Sequence, residues 1–257
     1  MTTSDPYSCP PTLEIVRGAV PAGTVAGICA EVRRVLGERD RLPDGQAEIL
    51  WSLDLARMMR LGMLKHPAHV LGFLNDTALP ALCRDVLGPD IACCLAGTFV
   101  RDFRPDLGSE PARMHFDANV LGLSVPMLNV WVPLNDVGRD APGLTMATRP
   151  HWPRAHWDKV VAAADRNGLF PTGARAGLAF PHEEIVALAH AEADWPLVES
   201  ELVAGDVLVF DHQHIHGTQM SLAAAGRRSS LEIRLVSVES ARRLKALGGP
   251  QEFVIIR

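Results

Sequence analysis

The hydrophobic pattern of this chain changes period near residue 90, and that change limits the folds open to it. Before it, apolar residues recur at helical spacing. "AGTVAGICAEVRRVLGERD" ends in charge, "GQAEILWSLDLARMMRLGML" repeats the pattern, and "TALPALCRDVLG" closes on Gly88, a residue suited to stopping a helix. The Met and Leu stripe there (Leu55, Met58, Met59, Leu61, Met63) reads as helix core. From "DIACCLAGTFVRDFRP" onward come short strand-like runs separated by Gly, Pro and Asp: "NVWVPLNDV", "GLTMATRP", "GDVLVFDHQHIHG" and "SSLEIRLVSV". A mainly helical insertion at about 153–199 interrupts the series. A helical block followed by many short strands predicts a mainly β fold with a helical buttress, a β-sandwich or cupin-like jelly roll. One domain accommodates all 257 residues. It would comprise a mainly helical layer over 1–90, a jelly-roll core over 91–240 and a C-terminal extension over 241–257.

Composition narrows the function. A net charge of −5 gives no basic face for a phosphate backbone, which argues against nucleic acid as a partner. No apolar run reaches membrane-spanning length. "MTTSDPYSCPPTLEIV" has neither the basic start nor the apolar core of a secretory signal, which argues against export. The five cysteines (Cys9, Cys29, Cys83, Cys93, Cys94) are odd in number and form no Cys-x-x-Cys pair. That fits neither a disulfide frame nor a zinc ribbon, and reduced thiols in the cytoplasm are expected. Cys93 and Cys94, in an apolar run, read as core.

A histidine followed two residues later by an acid occurs four times: His115/Asp117, His156/Asp158, His182/Glu184 and His190/Glu192. On a strand, side chains two apart face the same way and can share an ion. On a helix they lie about 200° apart and cannot. The last three pairs sit in Ala- and charge-rich helical sequence. Only "RMHFDANVLGLSVPMLNVWVPL" reads as extended. A third ligand is offered by "GDVLVFDHQHIHGTQ". If that strand ran straight, His212, His214 and His216 would face one way and form a three-histidine centre. Gly217 instead signals a turn, with His216 at the strand's end. Two histidines and a carboxylate on one face of an octahedral ion leave three positions open, as in non-haem Fe(II) oxygenases. Two of these suit a keto acid and the third O₂. The distal carboxylate of 2-oxoglutarate calls for a guanidinium with a hydroxyl beside it. Thr218 lies two residues past His216, and Arg227 and Arg228 open the next strand.

"RMHFDA", "LNVWVPLNDVGRDAPGLTMATRPHW", "GDVLVFDHQHIHGT" and "RRSSLEIRLV", in that order, resemble the phytanoyl-CoA dioxygenase-like family of Fe(II)/2-oxoglutarate oxygenases over roughly 78–238. The resemblance implies a double-stranded β-helix (a jelly roll), with iron on His115, Asp117 and His216. It implies 2-oxoglutarate on Thr218 and an arginine. Counting from the distal histidine selects Arg227; aligning Arg-x-Ser-x-acid-x-Arg selects Arg228, the preferred reading. Related halogenases carry a small residue where Asp117 stands, so hydroxylation of a small molecule's unactivated C–H, with release of succinate and CO₂, is expected. Where the family has a Pro-Gly-Ser-His-like turn, this chain reads "TMATRPHW", a departure that bears on substrate recognition. Asn129 shares a face with Trp131 and Pro133 by alternation. The choice for it lies between sheet packing and contact with 2-oxoglutarate or substrate. Arg101, Trp131, Arg149 and Trp152 are candidate substrate contacts, and Arg234 reads as a paired strand residue. Two other classes stay open: a cupin-type metalloenzyme using His212, His214 and His216 without 2-oxoglutarate, and a jelly-roll binding protein without catalysis.

Overall fold

The computed structural model describes residues 12–39, 52–112, 114, 115, 117, 125–148, 196–246 and 248–256. In chain order these form β1 (Leu13–Val16), α1 (Ala22–Arg39), β2 (Ser52–Asp54), α2 (Leu55–Arg60), α3 (Ala68–Leu71), α4 (Leu79–Leu87), β3 (Ile91–Cys94) and β4 (Phe99–Phe103). Then follow β5 (Leu128–Pro133), β6 (Leu144–Ala147), β7 (Leu197–Glu199), β8 (Val207–Asp211), β9 (His216–Thr218), β10 (Arg228–Ser237), α5 (Val238–Ala246) and β11 (Phe253–Ile256). The larger sheet runs β1-β8-β5-β10-β3-β11, with β2 and β4 added alongside β10, and the smaller runs β7-β6-β9. Every named pair is antiparallel.

The alternation of β10 decides what each face carries. Leu231, Ile233 and Leu235 point outward. With Val130, Val132, Val207 and Val209 they pack against Val25, Ile28, Leu55, Met58, Leu79 and Cys83 of the helices. The intervening Arg228, Ser230, Glu232 and Arg234 must then point into the sandwich, because side-chain direction on a strand has period two. A one-residue slip would exchange the two sets, so the apolar layer pins the polar one. Inside, Trp131, Leu208 and Phe210 of the larger sheet pack against Leu144 and Met146 of the smaller. The result is the expected mainly β jelly roll buttressed by helices.

Three details differ from the sequence reading. "GQAEILWSLDLARMMRLGML" is not helical throughout: Ser52–Asp54 is a strand paired with β4, and Asp54 caps α2 by accepting from the Arg57 amide at 2.7 Å. With β1, it brings two strands of the 1–90 region into the larger sheet, where a mainly helical layer was expected. Leu197–Glu199 is a strand on β6, so the helical reading stops short of 197; residues 153–195 lie outside the described residues. The C-terminal extension supplies β11, paired with β3. Gly88 does end α4, at φ +92°, a conformation that favours glycine. Among the described residues no helix is long and apolar enough to cross a membrane.

Candidate metal centre and its cavity

His115 reaches the mouth of the sandwich by bridging to β9. Its amide donates to the His216 carbonyl, and its carbonyl accepts from the His216 amide, both at 2.8 Å. The Asp117 amide donates to the His212 carbonyl at 3.1 Å. These backbone bonds bring three side chains together. His115 Nε2 lies 3.7 Å from Asp117 Oδ1, and His216 Nε2 lies 3.8 Å from Asp117 Oδ2. One ligand atom from each residue lies within 4.8 Å of the others, and no other such group forms among the described residues. Two imidazoles and a carboxylate suit a divalent first-row metal held on one face.

Charges around the trio tune it. Burial alone would raise the Asp117 carboxyl. Arg234, then His216, His115 and Arg101, outweigh that and hold it at about 2. Arg234 Nη2 sits 2.7 Å from Asp117 Oδ2, and both side chains are buried. Burial, with His115 adding to it against Asp117, holds the His216 imidazole down at about 4. His216 Nδ1 lies 3.0 Å from the His214 carbonyl, an acceptor only. Nδ1 therefore carries the proton, and the Nε2 lone pair faces Asp117 and His115.

His115 and His216 open on a narrow cavity lined by Arg101, Trp131, Phe210, Arg228, Glu232 and Arg234 among others. Of the adjacent pair Arg227 and Arg228, it is Arg228, 3% exposed, that faces it. Its Nη1 donates to the Gly143 carbonyl at 3.1 Å, and its guanidinium lies over Phe103 and Trp131. Burial draws its pKa down to about 10, opposed by Glu232, so it stays charged at neutral pH. Arg227 points the other way and pairs with Asp102 at 2.6 Å. Several buried polar atoms on the inward face lack a hydrogen-bond partner among the described residues: both amide atoms of Asn129, Trp131 Nε1, Arg228 Nε, Ser230 Oγ and Arg234 Nε. Buried orphans of this kind are costly and rare, and their convergence marks a place for a polar ligand. Asn129 joins them because it lies opposite Arg234 and Phe210 in register. The Thr218 hydroxyl accepts from the Ala112 amide at 3.0 Å, so it ties down the segment leading to His115.

The straight three-histidine strand does not form. β8 ends at Asp211, and the chain turns before His216 starts β9. His212 Nδ1 accepts from the Met127 amide at 3.4 Å, and His214 Nδ1 lies 2.8 Å from Asp211. Arg149 and Trp152 lie outside the described residues. Arg101 lines the cavity and pairs with Glu232 at 2.7 Å. Sequence reasoning missed Ser230 and Glu232 and read Arg234 as a paired strand residue; it is paired, with Asp117 and Glu232, at the cavity wall. The signal was present: once Arg228 faces inward, alternation carries 230, 232 and 234 with it.

The model of the phytanoyl-CoA dioxygenase (PhyH) family matches residues 14–229. The chain belongs to that family. No curated protein matches it in sequence. Members of the same fold among solved structures include the non-haem alpha-ketoglutarate-dependent carbocyclase SnoK from nogalamycin biosynthesis, at TM-score 0.62 and 15% identity, covering 95% of this chain and 92% of that one. The epimerase SnoN, solved in complex with Fe3+, alpha ketoglutarate and nogalamycin RO, is similar at TM-score 0.56 and 20% identity, over 88% and 78% of the two chains. EctD from S. alaskensis, with 2-oxoglutarate and 5-hydroxyectoine, is similar at TM-score 0.55 and 15% identity, over 93% and 79%. Within a phytanoyl-CoA dioxygenase family fold, the His115–Asp117–His216 group occupies the mouth between the two sheets.

Proposed function

We propose that this family member is an Fe(II)- and 2-oxoglutarate-dependent oxygenase that hydroxylates an unactivated C–H bond of a small molecule, with release of succinate and CO₂. One observation carries the reading: His115 and His216, of a His–Asp–His group able to share one ion, line the same cavity as a buried guanidinium whose Nε has no partner among the described residues. His115, Asp117 and His216 would hold the iron. Arg228, with Ser230 beside it, would receive the distal carboxylate of 2-oxoglutarate, with Thr218 and Asn129 bordering it. When bound, the metal and keto acid supply the activation of O₂ and the oxidising power for C–H cleavage.

The chain's own groups do the rest. The His214 carbonyl sets the His216 tautomer, and Arg234 holds one carboxylate oxygen of Asp117 so that the group keeps one orientation. Trp131, Phe210 and Leu144 wall the cavity and exclude water that would compete with the oxidised carbon. Trp131 and Arg101, which line the cavity, would touch substrate. SnoK and SnoN are named as a carbocyclase and an epimerase, so the identity of the product tests hydroxylation separately from cofactor use.

The deciding experiment is anaerobic titration of the protein with Fe(II) and 2-oxoglutarate, watched for the weak visible charge-transfer band of chelated keto acid. The band is expected in the wild type and lost or much weakened in Asp117→Ala and Arg228→Ala. No band, with metal still held by Asp117→Ala, would mean that the His115–Asp117–His216 group is not the metal centre and would sink the reading.

A further inference from the structure

Two arginines line both the inner cavity and a larger outer cleft that borders Phe103, Gly108, Ser109, Glu110 and Ala112. One is Arg228, buried and assigned above to the cosubstrate. The other is Arg101, whose side chain is 30% exposed. Its Nε lies 2.7 Å from Glu232 Oε1, and its guanidinium lies 5.4 Å over the Phe99 ring. Glu232 is itself steadied from the far side by Arg234, at 3.6 Å. The plane of the Arg101 guanidinium is therefore fixed at one edge and one face. No described residue takes its Nη1 or Nη2, and that two-nitrogen edge is the one a carboxylate engages with two parallel hydrogen bonds.

Charge balance favours the same conclusion. Among the described residues of the inner cavity, Arg101, Arg228 and Arg234 face the carboxylates of Asp117 and Glu232, which leaves one positive charge over. A ferrous ion and dianionic 2-oxoglutarate would cancel each other and leave that excess in place. A walled cavity holds an uncompensated charge poorly, so one negative charge is what a substrate would supply.

We propose that Arg101 is the receptor for a carboxylate on the substrate, and that the substrate is a small organic acid. Its carboxylate would lie at the junction of cavity and cleft, with the carbon to be oxidised directed toward His115 and His216. This rests on the oxygenase reading. A phosphate monoester offers a similar edge to a guanidinium, but its second charge exceeds the excess, so the carboxylate is the better match.

The test uses the full chain. The Fe(II)–2-oxoglutarate band is recorded first for each variant, and affinities refer to the fraction that forms it. The protein loaded with Co(II) and 2-oxoglutarate is then titrated calorimetrically with butanoic, hexanoic and octanoic acids, their primary amides, and octyl phosphate. At least one acid is expected to bind about tenfold or more tighter than its amide, as a charge-assisted pair of hydrogen bonds implies. That ratio should fall to near one in Arg101→Gln and survive in part in Arg101→Lys. Because Arg101→Gln takes the nearer of two arginines from Glu232, Arg101→Gln/Glu232→Gln is measured beside it and should lose the ratio too. Equal binding of acid and amide, no acid binding, tighter binding of the phosphate, or a ratio unchanged in the variants would each overturn the proposal. Absence of the visible band in the wild type would instead fail the oxygenase reading, so the two failures are distinguishable.

Discussion

Arg227 and Arg228 are adjacent, identical in chemistry and opposite in direction. No amount of counting along the sequence separates them; the register of β10 against β4 and β5 does, by turning Arg228 into the sandwich and Arg227 toward Asp102. Lysine keeps the charge of either residue but loses the planar fork. Arg228→Lys is therefore expected to raise the 2-oxoglutarate concentration that half-saturates the visible band by about tenfold or more, while Arg227→Lys shifts it by less than about twofold. Equal effects would mean the fork is not where the cosubstrate binds. His216 makes a second residue-level prediction. Burial lowers its folded-state pKa to about 4, below the ordinary histidine value of 6.5. The unfolded chain therefore takes up its proton first as pH falls. Metal-free protein loses stability from about pH 6.5 down to about 4, and Asp117, held at about 2, continues the loss below the ordinary carboxylate range. Urea unfolding of the metal-free protein across that range should show His216→Ala with a shallower pH slope, by up to about one proton. An unchanged slope would mean that the imidazole is not held neutral by the fold.

At the scale of elements, the site depends on how closely the segment carrying His115 approaches β9. Gly217 lies between His216 and Thr218, and a Cβ there would come within 3.0 Å of the Met114 amide nitrogen and 3.1 Å of the Ala112 carbonyl. Those atoms belong to the segment bound by Thr218 and His216. Gly217→Ala should push that segment outward by a few tenths of an ångström and spread the ligand trio. Metal affinity is expected to fall by about tenfold or more, the scale seen when ligand-orienting contacts are lost, with a far-UV spectrum close to wild type. Affinity within about twofold of wild type would show that the approach is not limiting. The ligands were legible in sequence because His-x-Asp is a local signal; the turn was misplaced, since it falls before His216, and Gly217, read as its signal, lies inside β9. Helix α4 was legible through Gly88. β2 was not, because its three residues sit inside a helical pattern and become a strand only through pairing with β4. Glu232 was missed and Arg234 read as a paired strand residue, because their neighbours across the sheet, Phe99 and Asn129, come from distant sequence.

At the scale of the whole molecule, one core decides whether the helical N-terminal region and the jelly roll unfold together. The apolar cluster that holds Val25 and Ile28 of α1, Met58 of α2 and Cys83 of α4 also holds Val130, Val209, Ile233 and Cys93 of the larger sheet. β1 and β2, from the same N-terminal region, are hydrogen-bonded into that sheet. A boundary near residue 90 would have to cut through this shared layer, so the chain is expected to unfold as one unit. Its cysteines report on that directly. Burial pushes the Cys83, Cys93 and Cys94 thiols up to about 12, which leaves roughly one part in ten thousand as thiolate at pH 8. Cys83 and Cys93 lie on the two sides of the helix–sheet layer, and Cys94 on the opposite face of β3 with Ala241 and Leu244 of α5. In native buffer all three should resist a disulfide-exchange reagent. With increasing urea they should become reactive along the same transition that removes the far-UV circular dichroism. If alkylation mapped by mass spectrometry found Cys83 reacting at lower urea than Cys93, the helices would be peeling from a sheet that stays folded. The single-domain reading would then give way to two cooperative units, with the ligand trio in the more stable one.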